Sequence, residues 1–443
     1  MYRLIEDKLE KWFDNPNRMP LLITGARQVG KTYTVFKFGK QKFSDIIYIN
    51  FEENQKFKSF FNHSLDPNKL IPLFEAEFKV TIKEDVLLFF DEIQACPSAL
   101  TSLKYFNEFR SDISVIASGS LLGVALNNIQ VSFPVGKVIT YEMHPMNFKE
   151  YLIANGRENM IPKIQKSYSD NKKMDSITHE ILMTEYYNYL VVGGLPNSVA
   201  TFINTGSFLE SQQIIENVYQ NYLNDMNKYT TSVERLKIRK VYQSLIRQLQ
   251  KENKNFKYSF VESGKHKQYF GSSILWLTSA NIAYESKRLN NTNLPLNYNV
   301  DDYIFRLYIS DTGLFANLSM TPLINLLNPE YRDDLSGLFS ENYVACELTS
   351  MGIPLFYWLG KRMSEIEFVV ELNGNAVPIE VKSGKNVYSR SIEQFIDENP
   401  KTKLVIRVAS KNFGFEKGIK TIPPYAVFCL AEEVKQYRYQ GVQ

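Results

Sequence analysis

The stretch Pro20–Thr32, PLLITGARQVGKT, constrains this chain more than any other. Leu21-Leu22-Ile23 is an uninterrupted apolar run of strand length. The eight residues Gly25, Ala26, Arg27, Gln28, Val29, Gly30, Lys31 and Thr32 then follow the spacing G-x-x-x-x-G-K-[ST], and Tyr33 to Phe38 can continue as a helix. Strand, glycine-rich turn and helix in that order read as a loop that wraps phosphate. Gly25 and Gly30 let backbone amides curl around an anion without a Cβ in the way, and the new helix points its positive end at the same place. Lys31 is expected to reach the β- and γ-phosphates of ATP, and Thr32 to place its hydroxyl on Mg²⁺.

A second signal belongs with the first. Val86-Leu87-Leu88-Phe89-Phe90 is an apolar run that ends in Asp91-Glu92. A nucleotide hydrolase needs a carboxylate at a strand end to hold Mg²⁺, for which Asp91 is suited, and a base to orient the attacking water, for which Glu92 is the neighbour. Ser118 and Ser120 stand at the tip of the following apolar run, Ile113–Ala117. There they can touch the γ-phosphate or its water, although a Ser-Gly-Ser turn that caps a helix fits equally well. Further strands are expected at Ile46–Phe51 and Val138–Tyr141, with helices at Tyr2–Phe13 and Pro97–Arg110. Strands alternating with helices in this way imply a parallel sheet covered on both faces.

Composition narrows the class. A length of 443 residues suggests about three domains, and 44% hydrophobic residues are ample for packed cores. A net charge of +3 implies no partner by itself. Three dispersed cysteines and four histidines without ligand spacing argue against a disulfide framework and against zinc. The first twenty residues alternate charged and apolar groups, and no long uncharged apolar stretch follows. Neither a signal peptide nor a membrane span is therefore expected, and the expected location is cytoplasmic.

From Phe148 the pattern turns helical, as in Met183–Val192 and Leu209–Tyr222, with Gly193-Gly194-Leu195-Pro196 as an interruption. Lys251–Lys257 reads as a loop, Ser272–Ser279 and Ile282–Lys287 as a helix followed by a β-wing, and Tyr303–Ile309 as a strand turned into a helix by Asp311-Thr312-Gly313. Lys237, Arg239, Lys240, Arg247 and Gly264-Lys265-His266-Lys267 supply positive charge that suits either DNA or a solvated face; no interleaving of basic and aromatic residues is legible. After Pro329 mixed α/β character returns. A helix is expected over Gly337–Met351, carrying Glu341, and strands over Leu355–Trp358, Glu365–Leu372, Ala376–Lys382 and Leu404–Ala409, with Asn373-Gly374 as a hairpin turn. The expected domains are 1–147, 148–232, 233–328 and 329–443.

Gly25–Thr32, Val86–Ile93 and Ser118–Leu122, in this order, resemble an AAA+ ATPase. With Gly193–Pro196, Tyr308–Leu314 and Ile379–Lys385, the chain as a whole resembles the bacterial and archaeal predicted ATPases that join an AAA+ module to an uncharacterised C-terminal domain. That resemblance implies a P-loop AAA+ parallel-sheet domain that binds ATP, a helical and winged-helix middle region, and a C-terminal α/β domain like PD-(D/E)xK, restriction-endonuclease-like nucleases. In such a nuclease, carboxylates on adjacent strands hold Mg²⁺ and a lysine assists the attacking water. Glu380 and Lys382 share one strand face, Glu367 takes the position of the first acidic residue, and Glu341 that of the extra acidic residue on the preceding helix. Gln394 on the following helix can join them.

Two departures stand out. The family places Gly-Arg where this chain has Gly136-Lys137, and lysine lacks the planar guanidinium fork that completes a neighbour's site. Arg110 is another candidate for that arginine. The first nuclease position is normally aspartate but is Glu367 here, whose extra methylene alters the reach to Mg²⁺. Two readings follow. In one, Mg²⁺-dependent ATP binding and hydrolysis is coupled to a DNA-related nuclease-like domain, with self-association left open. In the other, the chain is a nucleotide-gated DNA- or protein-binding switch whose nuclease-like domain is inactive.

Overall fold

A computed structural model describes residues 1–124, 133–328, 336–361, 364–382 and 390–439. Ser383, Gly384 and Lys385 of the C-terminal motif lie outside the described residues. The chain forms two compact units, Met1–His144 with Ser279–Asn281, and Pro145–Thr278 with Ile282–Gln443.

The first unit is built on β1 (Leu21–Thr24), β2 (Asp45–Asn50), β3 (Val86–Asp91), β4 (Ser114–Gly119) and β5 (Ile139–Glu142). They form one sheet in the order β2-β3-β4-β1-β5, with every pair parallel. Every residue of β3 and β4 is buried, as a strand covered by helices on both faces requires, and this is why the two segments read as unbroken apolar runs. The helix Pro97–Phe109 starts with Pro97 in its first turn, where the missing N–H costs nothing. It buries Ala99, Leu100, Leu103 and Phe106 at helical spacing against one face. Phe51, Phe61, Phe74 and Phe106 all meet Phe90 edge-on, with centroids 5.8–6.0 Å apart. Truncating such a ring to alanine costs about 3–5 kcal/mol.

The second unit contains further helices and two sheets. The first sheet, in the order β7-β6-β8-β9, comprises β6 (Ala283–Leu289), β7 (Val300–Ile309), β8 (Phe356–Leu359) and β9 (Glu365–Ile366). The second, in the order β10-β11-β12-β14-β13, comprises β10 (Phe368–Leu372), β11 (Asn375–Lys382), β12 (Val405–Ala409), β13 (Gly414–Glu416) and β14 (Ile419–Ile422). The strand expected over Glu365–Leu372 is thus broken at Glu367, where the chain leaves one sheet and enters the other. Asn373 and Gly374 turn β10 into β11 with φ of 48° and 71°, the left-handed pair that a tight hairpin needs.

The expected boundaries at 232 and 328 do not separate compact units. β6, the anticipated wing strand, pairs antiparallel with β7 and parallel with β8, so segments on either side of 328 share one sheet. Two motifs of the resemblance also meet here. The Asp311 carboxylate caps the helix Thr312–Ser319 by accepting from Leu314 N at 2.9 Å, and it accepts from Gly194 N at 2.6 Å. A Cβ on Gly193 would lie 2.4 Å from that carboxylate, and one on Gly194 2.0 Å from the Met146 carbonyl. Burial pushes the Asp311 carboxyl up to about 6. These residues form a structural latch. Among the described residues no helix is long and apolar enough to cross a membrane.

Candidate functional site

The strand order of the first unit decides where its site lies. In a parallel sheet, ligands sit beyond the carboxyl ends of the strands, where the strand order reverses. The C-terminal ends of β1, β3 and β4 carry the loop from Gly25, the pair Asp91-Glu92, and Ser118 to Ser120. The register Ile23↔Ser118 and Phe90↔Ala117 brings them together along one edge.

The loop has the backbone the spacing predicts. Gly25 and Gly30 adopt φ of 140° and 95°, Gln28 one of 64°, and the helix Lys31–Lys42 begins directly behind Gly30. A Cβ on Gly25 would lie 2.0 Å from the Met143 carbonyl, so the chain passes there only as glycine. Lys31 is 5% exposed, and its ammonium donates to the carbonyls of Gly25 and Ala26 at 2.9 and 2.7 Å. Burial pulls its pKa down to about 8, against the opposing pull of Glu92 and Asp91. A buried ammonium held by neutral carbonyls gains from an anion, which is the test that a triphosphate has to pass here.

Asp91 gathers the remaining partners. Thr32 Oγ1 donates to its carboxylate at 2.9 Å, Tyr48 Oη at 3.1 Å, and Ser118 Oγ donates to the other oxygen. Glu92 has φ 50° and ψ 46°, a left-handed conformation that glutamate avoids unless its surroundings impose it. Its carboxylate accepts from Ser120 Oγ at 3.1 Å and from Gln94 Nε2 at 2.5 Å. Arg27 pairs with Glu52 at 3.1 Å. Lys137 pairs with Glu108 at 3.3 Å and Arg110 with Asp112 at 2.8 Å, so each candidate for the missing arginine has a carboxylate in its own unit. Sequence reasoning missed Tyr48 and Arg3. Arg3 is buried, donating to the Val29 carbonyl inside the loop and to the His144 carbonyl at 2.6 Å. No local pattern marks either residue, because both act through partners distant in sequence.

The second group of expected residues is arranged differently from expectation. Glu341, Glu365 and Glu367 place carboxylate oxygens within 4.8 Å of one another, whereas Glu380 is held by Lys382 and Arg407, each at 3.3 Å. The expected quartet Glu341, Glu367, Glu380 and Lys382 is therefore divided. Gln394 donates to the Lys361 carbonyl and to Glu398 and is part of neither group. Glu365 went unnoticed, although period-two alternation in Glu365-Ile366-Glu367 puts both carboxylates on one face.

The three-carboxylate cluster already contains cations. Lys254 donates to Glu341 and, at 3.3 Å, to Glu365. Arg306, fully buried over the Tyr357 ring, donates to Glu365 at 2.8 Å and lies 3.6 Å from Glu341. Tyr308 Oη donates to Glu341 at 2.6 Å. Burial opposes the charge on Lys254, yet Glu341, Glu365 and Glu367 outweigh it and raise its pKa. Burial also pushes the Glu367 carboxyl up to about 7, against the pull of Lys254.

The first unit places a glycine-rich loop, a carboxylate pair and two serines at the carboxyl ends of three neighbouring parallel strands. Residues 17–152 match the family profile described as an AAA domain, and residues 183–324 and 336–427 match two domains of unknown function. No curated protein matches the chain in sequence. Among solved structures it is similar to the Walker-type ATPase of Pyrococcus abyssi, with 14% identity and a TM-score of 0.45 over 71% of this chain and 94% of that one. It is also similar to the Aeropyrum pernix ORC2 protein, with 10% identity and a TM-score of 0.36 over 78% and 95%. AMPPCP-bound DnaA from Aquifex aeolicus gives 15% identity and a TM-score of 0.29 over 61% and 86%. None of these likenesses bears on what this chain binds.

Proposed function

We propose that the first unit binds ATP with Mg²⁺ and hydrolyses it. The observation that carries this reading is the convergence of Thr32, Ser118 and Tyr48 on Asp91 beside a buried Lys31 whose ammonium donates to loop carbonyls. Lys31 takes the β- and γ-phosphates, and the amides of Gly25–Thr32 wrap the rest. Thr32 and Asp91 are the groups that would hold Mg²⁺, which when bound neutralises charge on the phosphates. Glu92 orients the attacking water and accepts its proton, and its strained backbone with the bonds from Ser120 and Gln94 fixes its direction. Hydrolysis by the purified full chain tests the proposal. Lys31→Ala is expected to abolish binding, and Glu92→Gln to abolish turnover while binding persists. A wild-type protein that neither binds nor hydrolyses ATP sinks the reading.

For the second unit, the position of Lys254 favours a switch over a nuclease. Its ammonium and the Arg306 guanidinium stand among the carboxylates that a nuclease would reserve for metal, and a built-in cation opposes a second one there. We therefore read the C-terminal region as an inactive nuclease-like domain that binds DNA in response to the nucleotide, in a cytoplasmic protein. Plasmid DNA incubated with the protein and Mg²⁺ or Mn²⁺ is expected to stay supercoiled. Nicking that disappears in Glu380→Ala would overturn this.

A further inference from the structure

Basic and aromatic residues alternate along Lys254–Phe260 and Lys265–Phe270, an interleaving that sequence reasoning missed, and the fold adds partners distant along the chain to it. Between Ser232 and Gly271 the chain carries ten lysines and arginines against three glutamates, although its overall net charge is only +3. Lys237, Lys240 and Arg247 recur at spacings of three and seven, which puts them on one face of the helix Ser232–Leu249. The ammonium of Lys237 lies 3.7 Å from the centroid of the Tyr269 ring, and that of Lys265 lies 4.5 Å from it. Lys257 and Lys251 lie 5.4 and 5.9 Å from the Phe260 ring, and Lys267 lies 4.9 Å from the Tyr303 ring. Several carboxylates interrupt the band: Glu262 takes up Lys240 at 2.7 Å and also faces Lys265 and Lys237, Glu234 faces Lys237, and Glu285 faces Lys267. Near Tyr303, Asp302 faces Lys287 at 3.6 Å.

Exposure separates this surface from an ordinary solvated face. Tyr303 is 76% exposed and Phe260 43%, while Tyr269 is half-buried. An exposed ring flanked by ammonium groups matches both halves of an unpaired nucleotide, with the base stacked on the ring and the phosphate on the ammonium. In a duplex the bases are already stacked and only the ammonium groups would be used. We propose that Phe260, Tyr269 and Tyr303, with Lys237, Lys257, Lys265 and Lys267, form a binding surface for single-stranded nucleic acid. The inference rests on the DNA-binding reading of the second unit and adds to it the form of the nucleic acid and the residues.

Fluorescence anisotropy with a labelled oligo-dT strand, titrated with the full chain at several salt concentrations, tests it. The single strand is expected to bind more tightly than a duplex of equal length. Tyr303→Ala is expected to weaken binding roughly tenfold, because one stacked base is lost, and Tyr303→Trp to restore it. Lys237→Ala is expected to lower the slope of log affinity against log salt by about 0.7. Tyr303 is exposed and Lys237 half-buried, and a urea-unfolding transition of the second unit that is unchanged in the variants shows that they fold. Tighter binding of the duplex, or equal binding by wild type, Tyr303→Ala and Lys237→Ala, overturns the surface without touching the nucleotide site. A wild-type chain that binds neither form of DNA overturns the surface and the DNA reading together, and leaves the ATP proposal standing.

Discussion

Two lysines in this molecule, Lys31 buried and Lys254 half-buried, stand in opposite electrical circumstances. Lys31, at the phosphate loop, donates to backbone carbonyls and to no carboxylate among the described residues, and burial pulls its pKa down to about 8 although Glu92 and Asp91 are near enough to oppose the shift. Lys254, in the second unit, is clasped by Glu341 and Glu365, and its pKa is raised. The same side chain is a charge in want of an anion in one place and a charge already matched in the other. A site for a ligand is recognisable by what its own residues leave uncompensated, not by which residue types are gathered there.

Identical substitutions should therefore behave oppositely. Lys31→Ala is expected to cost more than a hundredfold in ATP affinity by calorimetry, yet to leave the unliganded melting temperature unchanged or higher, since a buried ammonium is removed. Lys254→Ala is expected to destabilise the second unit by about 3–5 kcal/mol in urea titrations, because it strands buried carboxylates. Added Ca²⁺ should then raise the melting temperature of this variant and not that of the wild type. Equal stability losses in the two variants would erase the distinction.

Titration offers a finer probe. The folded-state pKa of Lys31 lies below the ordinary lysine value, so free Lys31 sheds its proton as pH rises past about 8. ATP affinity should be flat below that pH and fall by up to about tenfold per unit above it, with proton uptake on binding visible as a buffer-dependent heat. Glu367 shifts in the other sense. Its folded pKa of about 7 lies above the ordinary carboxyl value, so its stabilising contribution is full below about 4.5 and is lost as pH rises through 7. Glu367→Gln should be the mildest change, stabilising the protein by about 1 kcal/mol at pH 8 and flattening the stability profile between pH 5 and 8.

What the sequence made legible follows from how local each signal is. The phosphate loop, the apolar strands that flank it and the hairpin at Asn373-Gly374 are contiguous patterns, and each appears within a residue or two of its expected place. The distant partners were not legible. Lys254 meets Glu341 from 87 residues away, and Arg306 meets Glu365 from 59. The reading of Glu365–Leu372 as one strand failed because alternation describes a face and not which sheet the face belongs to. β13 and β14, three and four residues long, are too short for periodicity to register. The positions of Glu341, Glu367, Glu380 and Lys382 along the chain were suggestive, but the grouping depends on side-chain reach. Glu380 turned to Arg407 on the adjacent strand β12, with which it is in register.

The sheet that joins Ala283–Leu289 to Phe356–Leu359 has a bearing on inheritance. A chain cut between these strands would bare an open strand edge on each side and separate Lys254 and Arg306 from the acids they neutralise. The C-terminal third is accordingly not a cassette that recombination can lift out and graft elsewhere. It has to travel with the segment before it, and a gene that loses either one should lose both.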